Sequence, residues 1–251
     1  MREQAEQNKT AWEYRAYEFR VNHYGTPQTV AEKILENPES FLRYHAKYFD
    51  DIHGKYAASV CGSDGRRAVA LAALGANATV FDISEPQKKY ALELAEAAAV
   101  KINYILGDFC ETDIARYGNK FDFVYLEGGI LHYFSDIDAF TKMLYAITKP
   151  NGQLILCDFH PYRKRDGNVS DQTGGDYFDS RLHNGKVAYQ DLFPPEEQDA
   201  FPKCLMRYYT LSEIINSVIA SGFTLREFIE HPYGKHPAEF TIIALKTGEN
   251  D

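Results

Sequence analysis

Between Ala57 and Phe159 short apolar runs alternate with longer amphipathic stretches, and this alternation constrains the fold more than any other feature of the chain. Strands are predicted at Ala57–Cys61, Thr79–Asp82, Ile102–Leu106, Phe121–Leu126 and Gln153–Asp158. Helices are predicted at Arg66–Leu74, Glu85–Ala98 and Ile137–Thr148, with a weak turn near Thr112–Tyr117. Short apolar strands separated by helices join through crossovers into a parallel sheet. The punctuation agrees. Gly75 stops the first helix, and Ser84 is placed to cap the second, which carries Glu85 and Pro86 in its first turn. Lys149-Pro150-Asn151-Gly152 ends the last helix and turns the chain into the fifth strand.

A further helix at Leu211–Ser221 is followed by two strands, Thr224–Glu230 and Phe240–Lys246, with only a loop through His231-Pro232-Tyr233-Gly234 between them. Strands so joined pair antiparallel. The expected fold class is therefore α/β: a doubly wound, mostly parallel seven-stranded sheet ending in an antiparallel hairpin. Residues 1–56 are helical, polar and rich in aromatics, with breaks at Gly25-Thr26-Pro27 and Asn37-Pro38; they form an N-terminal cap on the domain 57–251. Residues 160–206, polar and loop-rich with Gly174-Gly175 and Pro194-Pro195, are an insert after the fifth strand.

Composition narrows the function. A net charge of −9 argues against a nucleic-acid backbone as partner. No apolar run is long enough to span a bilayer, and the first residues lack a signal-type apolar stretch. Cys61, Cys110, Cys157 and Cys204 stand far apart without a C-x-x-C pair, which fits free thiols in a reducing cytoplasm. No H-x-x-H or H-E-x-x-H spacing occurs, so no metal is expected.

In doubly wound sheets ligands bind at the carboxyl ends of the strands. Here those ends are Cys61–Gly65, Asp82, Gly107-Asp108, Glu127–Gly129 and Asp158–His160, each polar, acidic or glycine-bearing. The first reads SVCGSDG and leads directly into a helix. A dinucleotide pyrophosphate needs more glycine than this, because its two phosphates demand close backbone approach.

On these residues the stretch 57–160 resembles a class I S-adenosylmethionine-dependent methyltransferase, and the terminal hairpin matches the antiparallel seventh strand of that fold. The family's first motif is acid-x-Gly-x-Gly-x-Gly. Its last glycine aligns with Gly65, seventeen residues before the acid Asp82; the acid then falls on Ser59 and the first two glycines on Cys61 and Ser63, a departure from the pattern. Gly62, one place away, is expected to supply the flexibility instead. The resemblance implies S-adenosylmethionine as cofactor, S-adenosylhomocysteine as product and a small-molecule methyl acceptor as partner.

It also implies roles for particular residues. The turn Cys61, Gly62, Ser63, Asp64 and Gly65 would hold the aminocarboxylate tail; Asp64 either meets its ammonium or caps the following helix. Asp82 would accept both ribose hydroxyls, with Ile83 against the adenine. Asp108 would accept the adenine amino group, flanked by Phe109, and Glu127 and Gly128 would contact the methionine side. The histidines His132 and His160 follow the fourth and fifth strands and, with Glu127, are the candidates for catalysis, since an imidazole titrates near neutrality. His231 and His236, in the hairpin loop, are expected to face solvent.

Read as one helix, the stretch around Trp12 puts Trp12, Ala16 and Phe19 on one face and Thr10, Tyr14, Tyr17 and Val21 on another. The tyrosine face would close as a lid, with Tyr14 toward the cofactor and Tyr17 toward the acceptor. Tyr133, Tyr162, Tyr177 and Tyr208 are the remaining candidates for the acceptor wall. The basic run Arg163-Lys164-Arg165 would either grip an acidic substrate or form a solvated face. Two other readings compete. One is a nicotinamide oxidoreductase, disfavoured by the missing G-x-G-x-x-G; the other is a catalytically weak, methyltransferase-like cofactor-binding or partner subunit, favoured by the altered first motif.

Overall fold

Tyr56–Val60 (β1), Asn77–Asp82 (β2), Asn103–Leu106 (β3), Phe121–Glu127 (β4) and Thr148–Phe159 (β5) lie parallel, and Thr224–Tyr233 (β8) and His236–Leu245 (β9) close the sheet. The computed structural model describes residues 2–162 and 176–248 of the chain. Its seven-stranded sheet has the order β3-β2-β1-β4-β5-β9-β8, with β9 antiparallel to both β5 and β8. The order reverses between β1 and β4, so the ends of β1, β2 and β4 flank a crevice where a ligand can enter.

Alternate residues of each strand feed cores on opposite faces. Ala58, Val60, Val124, Leu126, Leu154 and Leu156 pack on one side, with Ile137–Ile147 (α7) and Leu211–Ala220 (α9). Ala57, Phe123, Tyr125 and Ile155 pack on the other, with Pro27–Glu36 (α3), Arg66–Ala73 (α4) and Glu85–Ala97 (α5). Phe121 breaks the alternation, lying with Val124 and Leu126, because the β4–β5 register shifts between Phe121 and Phe123. The weak turn expected near Thr112–Tyr117 is a single helical turn, Ile114–Tyr117 (α6), whose N-cap Asp113 accepts from the Ala115 amide at 2.9 Å.

Three local expectations are corrected. Helix α7 gives way to β5 at Thr148, opposite Phe121, so Lys149–Gly152 is an irregularity inside the strand rather than a turn before it. Asn151 takes φ 63° there, and a Cβ at Gly152 would stand 2.7 Å from the Lys149 carbonyl oxygen. The final hairpin runs longer than expected. His231 pairs with Glu239 and Pro232 with Pro237, so the turn falls at Gly234 and His231 is half-buried, its ring stacked 3.9 Å from Tyr44. Ser84 occupies the N-cap position of α5 without capping: its hydroxyl donates to the Trp12 carbonyl at 3.2 Å, and Glu13 accepts the Glu85 amide at 3.1 Å.

That exchange docks the first helices on the domain. Arg2–Glu13 (α1) and Ala16–Tyr24 (α2) are separate helices, because Arg15 adopts φ 54° and breaks the single helix expected across this stretch. Ala11, Ala16 and Phe19 form a third core with Val187, Tyr189, Phe193, Phe201, Cys204 and Met206 of the insert. Within the insert, Leu182–Gly185 (β6) and Cys204–Arg207 (β7) make a two-stranded antiparallel sheet, linked through the short helix Pro195–Gln198 (α8). Asn8 pairs with β7 as a strand would: Nδ2 donates to the Leu205 carbonyl at 3.1 Å and Oδ1 accepts the Leu205 amide at 2.7 Å. The Tyr189 hydroxyl bonds the carbonyls of Ala11, Trp12 and Tyr14 at the α1–α2 corner. Gly174-Gly175 and Arg163–Arg165 lie outside the described residues.

Candidate active site

The turn after β1 sets the floor of the site. Cys61 and Ser63 adopt φ 50° each and Gly65 φ 71°, so the alternating left-handed backbone is kept although two of its three positions carry side chains. Each non-glycine residue in that region costs about 1–2 kcal/mol. The turn is bonded to offset this. The Ser63 amide donates to Asp82 Oδ2 at 2.9 Å, Tyr104 donates to the Ser63 carbonyl at 2.9 Å, and Gly65 donates to the Gly62 carbonyl at 3.0 Å. Gly62 does not supply the flexibility expected of it, since its φ is not left-handed. It is required by crowding: a Cβ would stand 2.6 Å from Ser59 Oγ and 2.9 Å from Val80 Cγ1. Gly62→Ala is therefore expected to destabilise the fold by about 1–3 kcal/mol, the usual range for overpacking; equal denaturation midpoints for variant and wild type would show that β1 has room there.

A cavity of ≈ 290 Å³ opens above this turn, at the lower edge of small-molecule sites. Of the residues expected at a cofactor site, Cys61, Ser63, Asp64, Asp82, Ile83, Asp108, Phe109, Glu127 and Gly128 line it, and so does Tyr133. Gly62 and Gly65 shape the turn beneath without lining it. A Cβ at Gly65 would meet Ala91 Cβ at 2.6 Å, so this glycine allows α5 to pack against the turn.

The carboxylates divide into two kinds. Asp82 and Asp108 have no salt bridge to any described residue, and burial pushes both carboxyls up from their ordinary range. Asp82 accepts the amides of Ser63 and Ser84, one on each oxygen, and Asp108 accepts the Cys110 amide at 2.9 Å. Each acceptor oxygen has a second lone pair for a ligand donor. Asp64 and Glu127 are paired with arginines instead. Asp64, 2% exposed, accepts Arg66 Nε at 2.9 Å and lies 3.1 Å from Arg20 Nη1. Burial alone would raise its carboxyl; Arg20 and Arg66 outweigh that and hold it at about 2. The Arg66 amide also donates to Asp64 at 3.3 Å, but the N-cap of α4 is Gly65, which has no side chain to cap it, so Asp64 is not the helix cap.

Glu127 accepts from Arg43 Nη1 at 2.8 Å, Arg67 Nε at 2.6 Å and the Tyr125 hydroxyl. Here too burial is outweighed, by Arg67, Tyr125 and Arg43, leaving the carboxyl at about 2. Behind it stands a buried polar chain. His45 Nδ1 meets the Tyr125 hydroxyl at 3.1 Å, and His45 Nε2 and His231 Nε2 both meet Thr241 Oγ1, at 3.0 and 2.8 Å. His45 is fully buried, and desolvation lowers it to about 4, so it is neutral at pH 7.

The other expected residues stand outside the cavity lining. His132 lies in a turn at Leu131–Tyr133, its ring 4.1 Å from that of Tyr133, 6.4 Å from Phe159 and 6.2 Å from Tyr208. The turn is pinned by Asp158, which accepts the Ile130 and Leu131 amides at 2.8 Å each. His160 turns toward β8: Nδ1 accepts the Tyr162 amide at 3.0 Å and Nε2 is 3.1 Å from Glu230 Oε1. Tyr14 packs on Phe201 at 4.8 Å, Tyr17 bonds Glu93, Tyr162 stacks on His236, and the Tyr177 hydroxyl accepts the Leu211 amide. Tyr208 lies 5.9 Å from His183.

Sequence reasoning missed the cavity's upper wall. Gln4, Asn8 and Trp12 of α1 and Arg20 and Tyr24 of α2 line it. Arg20 is 7% exposed and spends its guanidinium on Gln87 Oε1, Ser63 Oγ and Asp64. A signal existed: Arg20 follows Ala16 and Phe19 at helical spacing, so an arginine occupies a core face. Among the described residues no group of three or more His, Cys, Asp or Glu is arranged to hold a metal ion, and no helix is long and apolar enough to cross a membrane.

Comparison with known proteins bears on this site directly. Residues 59–156, which carry the turn and four of the five strand ends, match the family model for the methyltransferase domain. Among solved structures, an S-adenosylmethionine-dependent methyltransferase from Mesorhizobium loti superposes with a TM-score of 0.63 at 16% identity, over 84% of this chain and 99% of that one. Magnesium protoporphyrin IX methyltransferase from Synechocystis, solved with bound S-adenosylhomocysteine, gives 0.63 at 14% identity, over 97% and 100%. An S-adenosylmethionine-dependent methyltransferase from Clostridium acetobutylicum gives 0.60 at 14% identity, over 84% and 91%. No curated protein matches the chain in sequence.

The sheet order is thus that of the class I S-adenosylmethionine-dependent methyltransferase fold, and residues 59–156 within it match the model of the methyltransferase domain.

Proposed function

We propose that the protein is an S-adenosylmethionine-dependent methyltransferase, releasing S-adenosylhomocysteine, and that it methylates an oxygen or nitrogen of a small-molecule acceptor enclosed beneath α1, α2 and the insert. The observation that carries this reading is the pair of unbridged carboxylates, Asp82 and Asp108, at successive strand ends on one cavity. They suit neutral donors: Asp82 takes the two ribose hydroxyls and Asp108 the adenine amino group, with Ile83 and Phe109 against the ring. The turn after β1 lacks the G-x-G-x-x-G that lets a backbone approach a pyrophosphate, which disfavours a nicotinamide dinucleotide. The left-handed turn at 61–65 takes the amino-acid tail. Glu127, bonded on both oxygens, acts as a fixed anion beside Gly128 rather than as a base.

The cofactor supplies an electrophilic methyl on a sulfonium that departs as a neutral thioether. The chain supplies alignment and dryness. Orientation alone can contribute about 7–11 kcal/mol to such a reaction. Helices α1 and α2, tied to the insert through Asn8 and Tyr189, form the cover that excludes water. Tyr133 brings an aromatic ring to the cavity, where it can stabilise positive charge. For a protic acceptor a base must hold the released proton, and we assign His132, in ring contact with Tyr133, to that task. The four cysteines are free thiols, which supports a reducing, cytoplasmic setting.

Calorimetry with S-adenosylmethionine and with NAD tests the cofactor assignment, and turnover with a panel of hydroxyl and amine acceptors tests the activity. Binding of the first ligand alone, with methyl transfer to at least one acceptor, is the expected result. Cofactor binding without turnover on any acceptor would favour the non-catalytic reading instead. His132→Ala is expected to lower kcat by about 10²-fold, at the lower end for loss of a general base, with little change in cofactor affinity. An unchanged kcat removes that role.

A further inference from the structure

Arg66 and Arg67 open helix α4, at the end where the helix dipole favours anions. Two cations there need an explanation. Arg66 has one: its Nε bonds both Asp64 oxygens, at 3.0 and 2.9 Å, and its guanidinium lies 3.5 Å from the Tyr24 ring centroid. Arg67 differs. Its Nε donates to Glu127 Oε2 at 2.6 Å, and neither Nη atom has a hydrogen-bond partner among the described residues. Its side chain is 30% exposed and lines the cavity.

The anchor is rigid. Glu127 has a fully buried side chain and is held also by Arg43 and Tyr125, with His45 and Thr241 fixed behind Tyr125. A guanidinium held at Nε presents the Nη pair, the edge that meets a carboxylate with two parallel hydrogen bonds. We propose that Arg67 is a carboxylate-binding subsite of the cavity. Resting on the methyltransferase reading, it takes an aliphatic or aromatic carboxylate carried either by the cofactor's own amino-acid tail or by the acceptor. The surroundings favour a directed contact over a diffuse one: Asp82 and Asp108 of the same cavity repel a carboxylate, and the charge of Arg20 is spent on Asp64.

The test is calorimetry on the full chain and on Arg67→Lys and Arg67→Met, with S-adenosylhomocysteine and 5′-methylthioadenosine, which shares the adenosine and thioether but lacks the tail. Benzoate is then titrated into each protein saturated with S-adenosylhomocysteine. If the cofactor's tail is the source, both variants lose at least tenfold in S-adenosylhomocysteine affinity and bind 5′-methylthioadenosine as the wild type does. If the acceptor is the source, S-adenosylhomocysteine affinity is kept and benzoate binding, present in the wild type, is lost. Lysine can reach Glu127 or the ligand but cannot span both, so that variant reports on the fork even where Arg67→Met fails to fold. Unchanged binding of both S-adenosylhomocysteine and benzoate overturns the subsite. A wild type that binds neither nucleoside overturns the methyltransferase reading beneath it.

Discussion

Asp82→Ala is expected to weaken S-adenosylhomocysteine binding by about 10²-fold or more. Hydrogen bonds to a charged group contribute about 1.5–3 kcal/mol each, and the carboxylate is assigned two, so the loss exceeds one order of magnitude even at the low end. The same substitution strips the Ser63 and Ser84 amides of their acceptor, loosening the turn proposed to take the tail. Asp82→Asn separates these effects, since its amide oxygen keeps one acceptor. A pH dependence follows with a definite sign. Burial raises the Asp82 carboxyl above the ordinary aspartate range, so affinity is retained well above that raised value and falls as the pH drops through it, earlier than an exposed aspartate would dictate. Calorimetry across pH reads both. Wild-type affinity in Asp82→Ala would remove the ribose assignment and the placement of the adenosine with it.

Glu127→Gln is expected to lower folding stability by about 3 kcal/mol at pH 7, because it leaves Arg43 and Arg67 facing a neutral group in a partly buried site. The carboxyl drops from 4.5 to about 2 on folding. A depressed acid contributes stability that is present above its unfolded value and is lost as pH falls toward the folded one. Wild type and variant should therefore differ fully above pH about 5 and converge toward pH about 2. Urea denaturation of both proteins between these limits tests this. Equal stability at neutral pH would mean that solvent, not the carboxylate, satisfies the two arginines. Asp64, also held at about 2, adds to the acid sensitivity in the same direction.

The sheet was legible because its strands are apolar on both faces and its turns carry glycine, proline and acids at fixed offsets. The predicted starts and ends of β1 to β4 fall within two residues of those observed. Asp82, Asp108 and Glu127 were found by position, since a parallel strand delivers the residue after its last apolar position to one edge of the sheet. Local rules failed where a backbone choice overrode the side-chain pattern. Arg15 in the left-handed region turned one helix into two, and Tyr17 went to Glu93 while Trp12 and Arg20 went to the cavity. The departure at Cys61 and Ser63 was visible in the sequence, but only the fold showed that both residues keep the backbone shape glycine would have.

What the sequence determined by itself was the order of strands and helices and the acidic rim they create, because periodicity and turn chemistry act over a few neighbouring residues. The tertiary structure decided the roof and the charge state of that rim. Asn8 finds Leu205, Arg20 finds Asp64 and His45 finds Thr241 across separations of 197, 44 and 196 residues. Such partners are chosen by burial, which makes an unpaired polar group too costly to leave, and burial is a property of the assembled chain.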